Sequence, residues 1–185
     1  SVFAVLPQLV ERAGNGMHGN GSVTAFFTVL TEGDDINDPV ADAARAILDG
    51  HIMLSRKLAG EGVYPAIDIT HSISRAMQNI VDDHQFKQAS SLKNWISRYD
   101  ENRDLISVGA YTAGIDRETD MAIEKQNDIR QFLSQPRDSA VDYSASVQAL
   151  HQLIVSAAVN EPSAESNPGG PEQVNAVMEL SLIHI

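Results

Sequence analysis

The apolar spacing of this chain changes character at Arg75, and that change limits the folds open to it. Upstream, short apolar runs alternate with glycine, proline and acidic turns; downstream, every apolar pattern recurs at helical spacing. Phe3, Leu6, Leu9 and Val10 predict a short helix closing at Gly14, a residue type that tolerates the left-handed conformation past a helix end. From Gly14 to Gly21, glycine and asparagine fill six of eight positions and predict a loop. Ser22 to Thr31 carries Val23, Ala25, Phe26, Phe27, Val29 and Leu30, too continuous for a one-sided strand. It predicts a strand buried on both faces, as in a parallel sheet.

A second unit of the same kind follows. Asp34, Asp35, Asp38, Pro39 and Asp42 around Gly33 read as a turn leading into a helix start, and Ala43 to Leu48 favours helix. Ile52, Met53 and Leu54 after Gly50 fit strand and helix equally well. Short connections between such segments predict an α/β sheet through about residue 70. Beyond Arg75, three amphipathic patterns predict a small helical bundle: Phe86, Ala89, Leu92, Ile96 and Tyr99; Ala122, Ile129, Phe132 and Leu133; Val147, Leu150, Ile154 and Ala157. Its breaks fall at Gly109, Gly114 and Pro136, with Asp116 and Ser144 as N-caps.

The boundary between the two parts falls near residues 76 to 82, giving segments of 1–80 and 81–159. Residues 160–185 predict a flexible tail, because 160–173 hold three of the seven prolines together with Gly169 and Gly170. The closing LSLIHI, 180–185, looks like read-through into a sequencing adapter and is set apart from the fold as non-native.

Thirteen basic against 25 acidic residues leave a net charge of −12, which disfavours nucleic acid and anionic membranes as partners. The chain has no cysteine, so disulfides and thiolate metal sites are ruled out. No apolar stretch approaches the roughly 20 residues of a membrane-spanning helix. Ser1 runs directly into an apolar pattern without a basic leader, the expectation being a start inside a longer chain.

Several motifs fail on physical grounds. Gly14, Gly16 and Gly19 spell GxGxxG, but the dinucleotide fingerprint follows a strand and opens a helix, and here the predicted order is helix, loop, strand. Asp34, Asp35, Asp38 and Asp42 lack the central Gly and terminal Glu of a calcium loop and read as a solvated, helix-capping loop. Asp68, His71 and Ser72 are triad residue types within five positions, whereas triads assemble from distant segments. The six histidines form no HExxH pair, so no metal ligands are assigned. Tyr64 to Arg75, YPAIDITHSISR, stands out instead. It sets an aromatic face and a fixed positive charge eleven positions apart, at the end of the predicted sheet where open α/β folds place their sites.

SVFAVLPQLVERAG, the block GSVTAFFTVLTEGDDINDPVADAARAILDGHIMLSRKLAGEGVYPAIDITHSISRAM, and GAYTAG together resemble the flagellar and type III secretion export ATPases, relatives of the rotary ATP synthase catalytic subunit. The resemblance covers about residues 1–155, and the TEGDD and SISRAM wording leans flagellar rather than injectisome. It implies part of a RecA-like parallel sheet with helices, then a small all-α domain and a disordered tail. It also implies a cytoplasmic homo-hexamer at the inner face of the membrane that hydrolyses ATP with Mg²⁺. The implied partners are stalk and regulator proteins, export cargo and chaperones.

By the same resemblance, Arg75 of SISR corresponds to an arginine finger reaching the γ-phosphate held by the next subunit. Tyr64 of VYPAID corresponds to the aromatic that stacks on adenine in the subunit's own site, and leans toward a hydrolysing type of subunit. Phe132 of FLSQP resembles an aromatic lining the same pocket, although the aromatic that follows the proline in synthases is Arg137 here. The GxxxxGK[ST] segment, the strand ending in Asp and the catalytic glutamate motif are not in these residues, so this stretch alone is expected not to hydrolyse ATP. A sheet without its first strands is expected to expose an unpaired edge and part of its core. The alternative reading is a docking module built on the helices, although Phe86, Trp95 and Tyr99 serve equally as core residues at their spacing.

Overall fold

The computed structural model describes residues 2–17, 21–31, 35 and 37–159. Near the N-terminus, α1 (Val2–Val10) ends earlier than Gly14, and the Ala13 N–H closes a tight turn on the Val10 carbonyl at 3.0 Å. The glycine-rich stretch that reads as a loop carries short strands at its ends. Gly14–Asn15 (β1) pairs antiparallel with Ser22–Val23 (β2), and the Gly16 N–H donates to the Gly21 carbonyl at 2.7 Å.

The doubly buried strand expected from Ser22 to Thr31 is not formed. Only Ser22–Val23 pair, and Phe26 and Leu30 are 89% and 90% exposed. An apolar run becomes a buried strand only where neighbouring strands take up its backbone groups on both sides, and β1 supplies two residues on one side. The expected parallel sheet is likewise absent among the described residues. Both sheets are two-stranded and antiparallel.

From Asp38 onward the reading and the structure agree closely. The Asp38 carboxylate accepts the Val40 and Ala41 N–H groups at 2.9 and 2.8 Å, starting α2 (Pro39–Ile47) with proline at its tolerated first position. The ambiguous segment after Gly50 is a strand, β3 (Gly50–Leu54). It turns through α3 (Arg56–Gly60), whose first turn is capped by Ser55, into β4 (Ile67–Ser74). Gly50 is required by proximity, since a Cβ there would lie 2.6 Å from the Ile73 carbonyl oxygen.

After α4 (Met77–Ile80), Asp82 caps α5 (Asp83–Ser107) by accepting the Gln85 N–H at 2.7 Å. Asp116 caps α6 (Arg117–Leu133) as expected. Helix α7 (Tyr143–Val159) is capped by Asp142 rather than Ser144. The Asp142 carboxylate accepts the Ala145 N–H at 2.7 Å and the Ser144 hydroxyl itself at 2.8 Å. The turns at Gly109 and Gly114 use φ of 69° and 90°, accessible to glycine with little steric cost.

The principal apolar core lies among these three helices: Leu92 and Trp95 from α5, Ala122 and Ile129 from α6, Leu150, Leu153 and Ala157 from α7. Burying such side chains is worth about 1.5–3 kcal/mol each, which makes the bundle the best-supported part of the chain. Trp95 is core, and Tyr99 packs against it. Polar ties cross the bundle as well. The buried Gln88 amide donates to His151 Nδ1 at 2.7 Å beside His84. No helix among the described residues is long and apolar enough to cross a membrane. Asp34, Gly19, the tail and LSLIHI lie outside the described residues.

Candidate functional site

The β3–β4 ladder carries the two strongest candidate residues at its opposite ends. At one end the chain leaves β4 into Arg75, whose N–H donates to the Asp49 carbonyl at 2.8 Å, continuing the pairing one step past the strand. The exposed guanidinium folds back over the end of α2 and donates to the Arg45 and Ala46 carbonyls at 3.2 and 3.4 Å. The last carbonyls of a helix have no intrahelical donor and carry partial negative charge, so a cation settles there. These bonds are long and engage only neutral carbonyls, which leaves the positive charge available to an anion.

The middle of β4 departs from a regular ladder. His51 pairs with Ile73 and Met53 with Asp68, so one residue of β3 faces four of β4. Side chains stitch the surplus together. The Asp68 carboxylate accepts the Thr70 hydroxyl at 2.7 Å, the His71 N–H at 3.0 Å, and approaches His71 Nδ1 at 3.0 Å. Partial burial would raise the Asp68 pKa, but the Thr70 and His71 hydrogen bonds together outweigh it and hold the carboxyl below its ordinary range.

The Ser72 hydroxyl donates to the Asp68 backbone carbonyl and accepts the Met53 N–H. It is thus committed to the backbone rather than aligned on His71. Asp68, His71 and Ser72 therefore close a bulge and make no nucleophile–base pair. Lys93 of α5 donates to the Ser72 carbonyl at 3.2 Å and anchors the bulge to the bundle.

Tyr64 lies at the other end of the ladder, before a cis bond to Pro65, with its side chain 58% exposed. Its neighbour Val63 is buried and holds the loop down. The Gln135 N–H donates to the Tyr64 carbonyl at 2.8 Å, which joins this loop to the end of α6. Phe132, three residues earlier, is half-buried and packs against the bundle core. The structure thus brings the Tyr64 and Phe132 segments together and keeps Arg75 apart from both, beside α2.

Among the described residues no three His, Asp or Glu side chains converge as a cation site, and no GxxxxGK[ST] occurs in the sequence. These residues offer an exposed aromatic face and an exposed cation. They supply no GxxxxGK[ST] phosphate cradle and no cluster of three cation ligands.

Residues 1–74 match the ATP synthase alpha/beta family, nucleotide-binding domain, and residues 81–152 match the T3SS EscN ATPase C-terminal domain. The flagellum-specific ATP synthase of Pseudomonas aeruginosa is 56% identical over 154 residues, 83% of this chain and 34% of that protein. The chain belongs to the flagellar and type III secretion export ATPase family.

The assembled ATPase EscN of the enteropathogenic E. coli type III secretion system superposes on this chain with a TM-score of 0.77 at 42% identity, over 82% of this chain and 36% of EscN. EscN in complex with its central stalk EscO gives 0.73 at 39% identity, over 82% and 35%. The chain spans about a third of the length of these relatives.

The residues that hold the Tyr64 loop are not legible in the sequence. Glu61, Arg130 and Gln135 carry no local signal, because their partners lie more than forty positions away.

Proposed function

We propose that this chain is the C-terminal portion of an ATP-hydrolysing subunit that energises flagellar-type protein export. In this reading Arg75 reaches across a subunit interface to a nucleotide held by a neighbour. Tyr64 stacks on adenine in the subunit's own site, and Phe132 lines that pocket. The observation that carries it is the placement of Tyr64 and Arg75 at opposite ends of the β3–β4 ladder, both exposed, one beside α6 and the other beside α2. One chain arranged in this way serves two nucleotides, as a ring of like subunits requires.

The chemistry follows from the side chains. A guanidinium is planar, permanently charged and matched to phosphoryl oxygens, and a finger of this kind is worth roughly 10³–10⁵ in rate by stabilising charge that grows at the γ-phosphate. An exposed phenol ring gives a stacking surface that every base can use. ATP is taken with Mg²⁺, whose ligands and phosphate cradle belong to family elements outside these 185 residues. The stretch alone is accordingly inactive. The TEGDD and SISRAM wording of the sequence supports a flagellar rather than an injectisome role.

The proposal extends to a homo-hexamer working in the cytoplasm at the inner face of the membrane, with stalk and regulator proteins, export cargo and chaperones as partners. It divides the chain into the end of a RecA-like core (1–80) and a helical domain (81–159). Replacing Arg75 by Ala in the full-length protein tests it. Turnover collapses while nucleotide binding persists, and hydrolysis within a few-fold of the parent would remove the role.

A second reading, a docking surface for stalk or cargo, is favoured by Val108 and Ile115, which are 75% and 78% exposed at the α5–α6 turn. Capture of a purified stalk protein by full-length chains carrying Val108→Asp and Ile115→Asp separates it from an ATPase role. Loss of capture with basal hydrolysis intact supports docking at that turn.

A further inference from the structure

We infer that Arg130 is a positioning residue for Tyr64, through which the end of α6 sets the adenine-side loop. The inference rests on the nucleotide role proposed for Tyr64. Residues 61–66 connect α3 to β4, and the Tyr64 ring is too exposed to be held by packing of its own. The loop must therefore be fixed through its backbone. The Gly62 and Val63 N–H groups bond back to the Ala59 and Leu58 carbonyls at 3.1 and 2.9 Å, with Gly62 at a φ of 76°. These contacts shape the turn locally without fixing it against the rest of the molecule.

Three longer-range bonds supply that fix. Arg130 Nη2 donates to the Glu61 carbonyl at 2.7 Å, the Gln135 N–H donates to the Tyr64 carbonyl at 2.8 Å, and Arg103 Nη2 donates to Glu61 Oε1 at 3.0 Å. The carbonyls at both ends of the Glu61–Tyr64 segment are thus held by donors from the same helix end. The Arg130 bond is the shortest of the three and is charge-assisted, the stronger class of hydrogen bond. Arg130 is exposed, so truncating it opens no cavity. What it contributes is placement of the loop, and small losses of placement are costly where a ring must meet a ligand. Because the same bond is felt from both ends, a displacement of α6 is transmitted to Tyr64, and adenine held on Tyr64 restrains α6 in return.

The test uses the full-length ATPase with Arg130→Gln, Arg130→Lys, Tyr64→Ala and the double variant Arg130→Gln/Tyr64→Ala. The readouts are KM for ATP, kcat and the thermal midpoint. Arg130→Gln raises KM about 5- to 10-fold with kcat within about twofold, the signature of weakened uniform binding. Arg130→Lys recovers part of that loss because its ammonium still reaches one carbonyl. In the Tyr64→Ala background Arg130→Gln adds nothing, since the group it positions is gone.

Should Arg130→Gln lower the thermal midpoint, Arg130→Lys supplies the reading in its place, through the same dependence on Tyr64. If Tyr64→Ala raises KM and Arg130→Gln does not, or if the two effects add, the positioning role is overturned while the Tyr64 reading stands. If Tyr64→Ala leaves KM unchanged, the adenine role of Tyr64 fails, and this inference fails with it.

Discussion

Arg75 rests against Arg45: its guanidinium donates to the Arg45 backbone carbonyl at 3.2 Å, across 30 positions of sequence, and seats a cation on the C-terminal end of α2. The contact gives Arg75 a resting position without neutralising it. Replacement by Ala in the full-length protein lowers turnover by about 10³-fold or more if the charge acts on phosphoryl transfer. The contribution to stability is far smaller, about 0.3–1 kcal/mol for a charge at a helix end. Steady-state hydrolysis set beside thermal denaturation separates the two. A stability loss with turnover retained would assign Arg75 to capping alone.

In the proposed adenine role, Tyr64 offers a ring rather than a hydroxyl to the base. Tyr64→Phe therefore keeps nucleotide affinity near the parent value, whereas Tyr64→Ala weakens it by about 1–3 kcal/mol, the range for a stacked base. Titration with a fluorescent adenine nucleotide reads the difference. Equal loss in both variants would transfer the role to the phenol oxygen.

Gly50 faces the Ile73 carbonyl so closely that any side chain must part β3 from β4. Gly50→Ala is expected to cost about 1–3 kcal/mol, as overpacking does elsewhere. Denaturant unfolding of the chain reports it as a lower midpoint. A midpoint equal to the parent's would mean that the ladder shifts without penalty.

Asp116 links stability to pH. Its carboxyl is held below the ordinary value, first by the Thr119 hydroxyl, against a smaller opposing effect of desolvation, and then by the Glu118 N–H and the Arg98 charge. A lowered pKa means that the folded state favours the ionised form. The stabilisation is therefore complete above the ordinary aspartate value of about 3.9 and is lost as pH falls through the lower folded value. Asp116→Asn keeps the capping acceptor but not the titration, so its unfolding midpoint changes less between pH 7 and pH 3. Identical pH profiles would show that Asp116 is not the group responsible.

The contacts legible in the sequence are those made within one turn. Asp38 and Asp116 cap their helices two or three residues ahead, so residue type and spacing suffice to find them. The bundle core was legible for a related reason. Leu92, Ile129 and Leu150 recur at the helical period, and a continuous apolar stripe must be buried. At α7 the same reasoning names Ser144, whereas the fold places the Asp142 carboxylate, two positions earlier, on the Ala145 N–H.

Only the tertiary structure decided what depends on distant partners. Ser22–Thr31 has the composition of a buried strand, but burial depends on neighbouring strands, and Phe26 and Leu30 are exposed where none flanks them. The bulge that turns Asp68, His71 and Ser72 into a structural knot follows from the register of β4 against β3, which no local pattern encodes. Arg130 meets Glu61 across 69 positions, a pairing that arises once α6 has packed. Residue type and short-range spacing determined the helices, their caps and the chemistry on offer. Chain topology determined which of those groups share a surface, because contacts between remote segments depend on packing geometry rather than on neighbours in sequence.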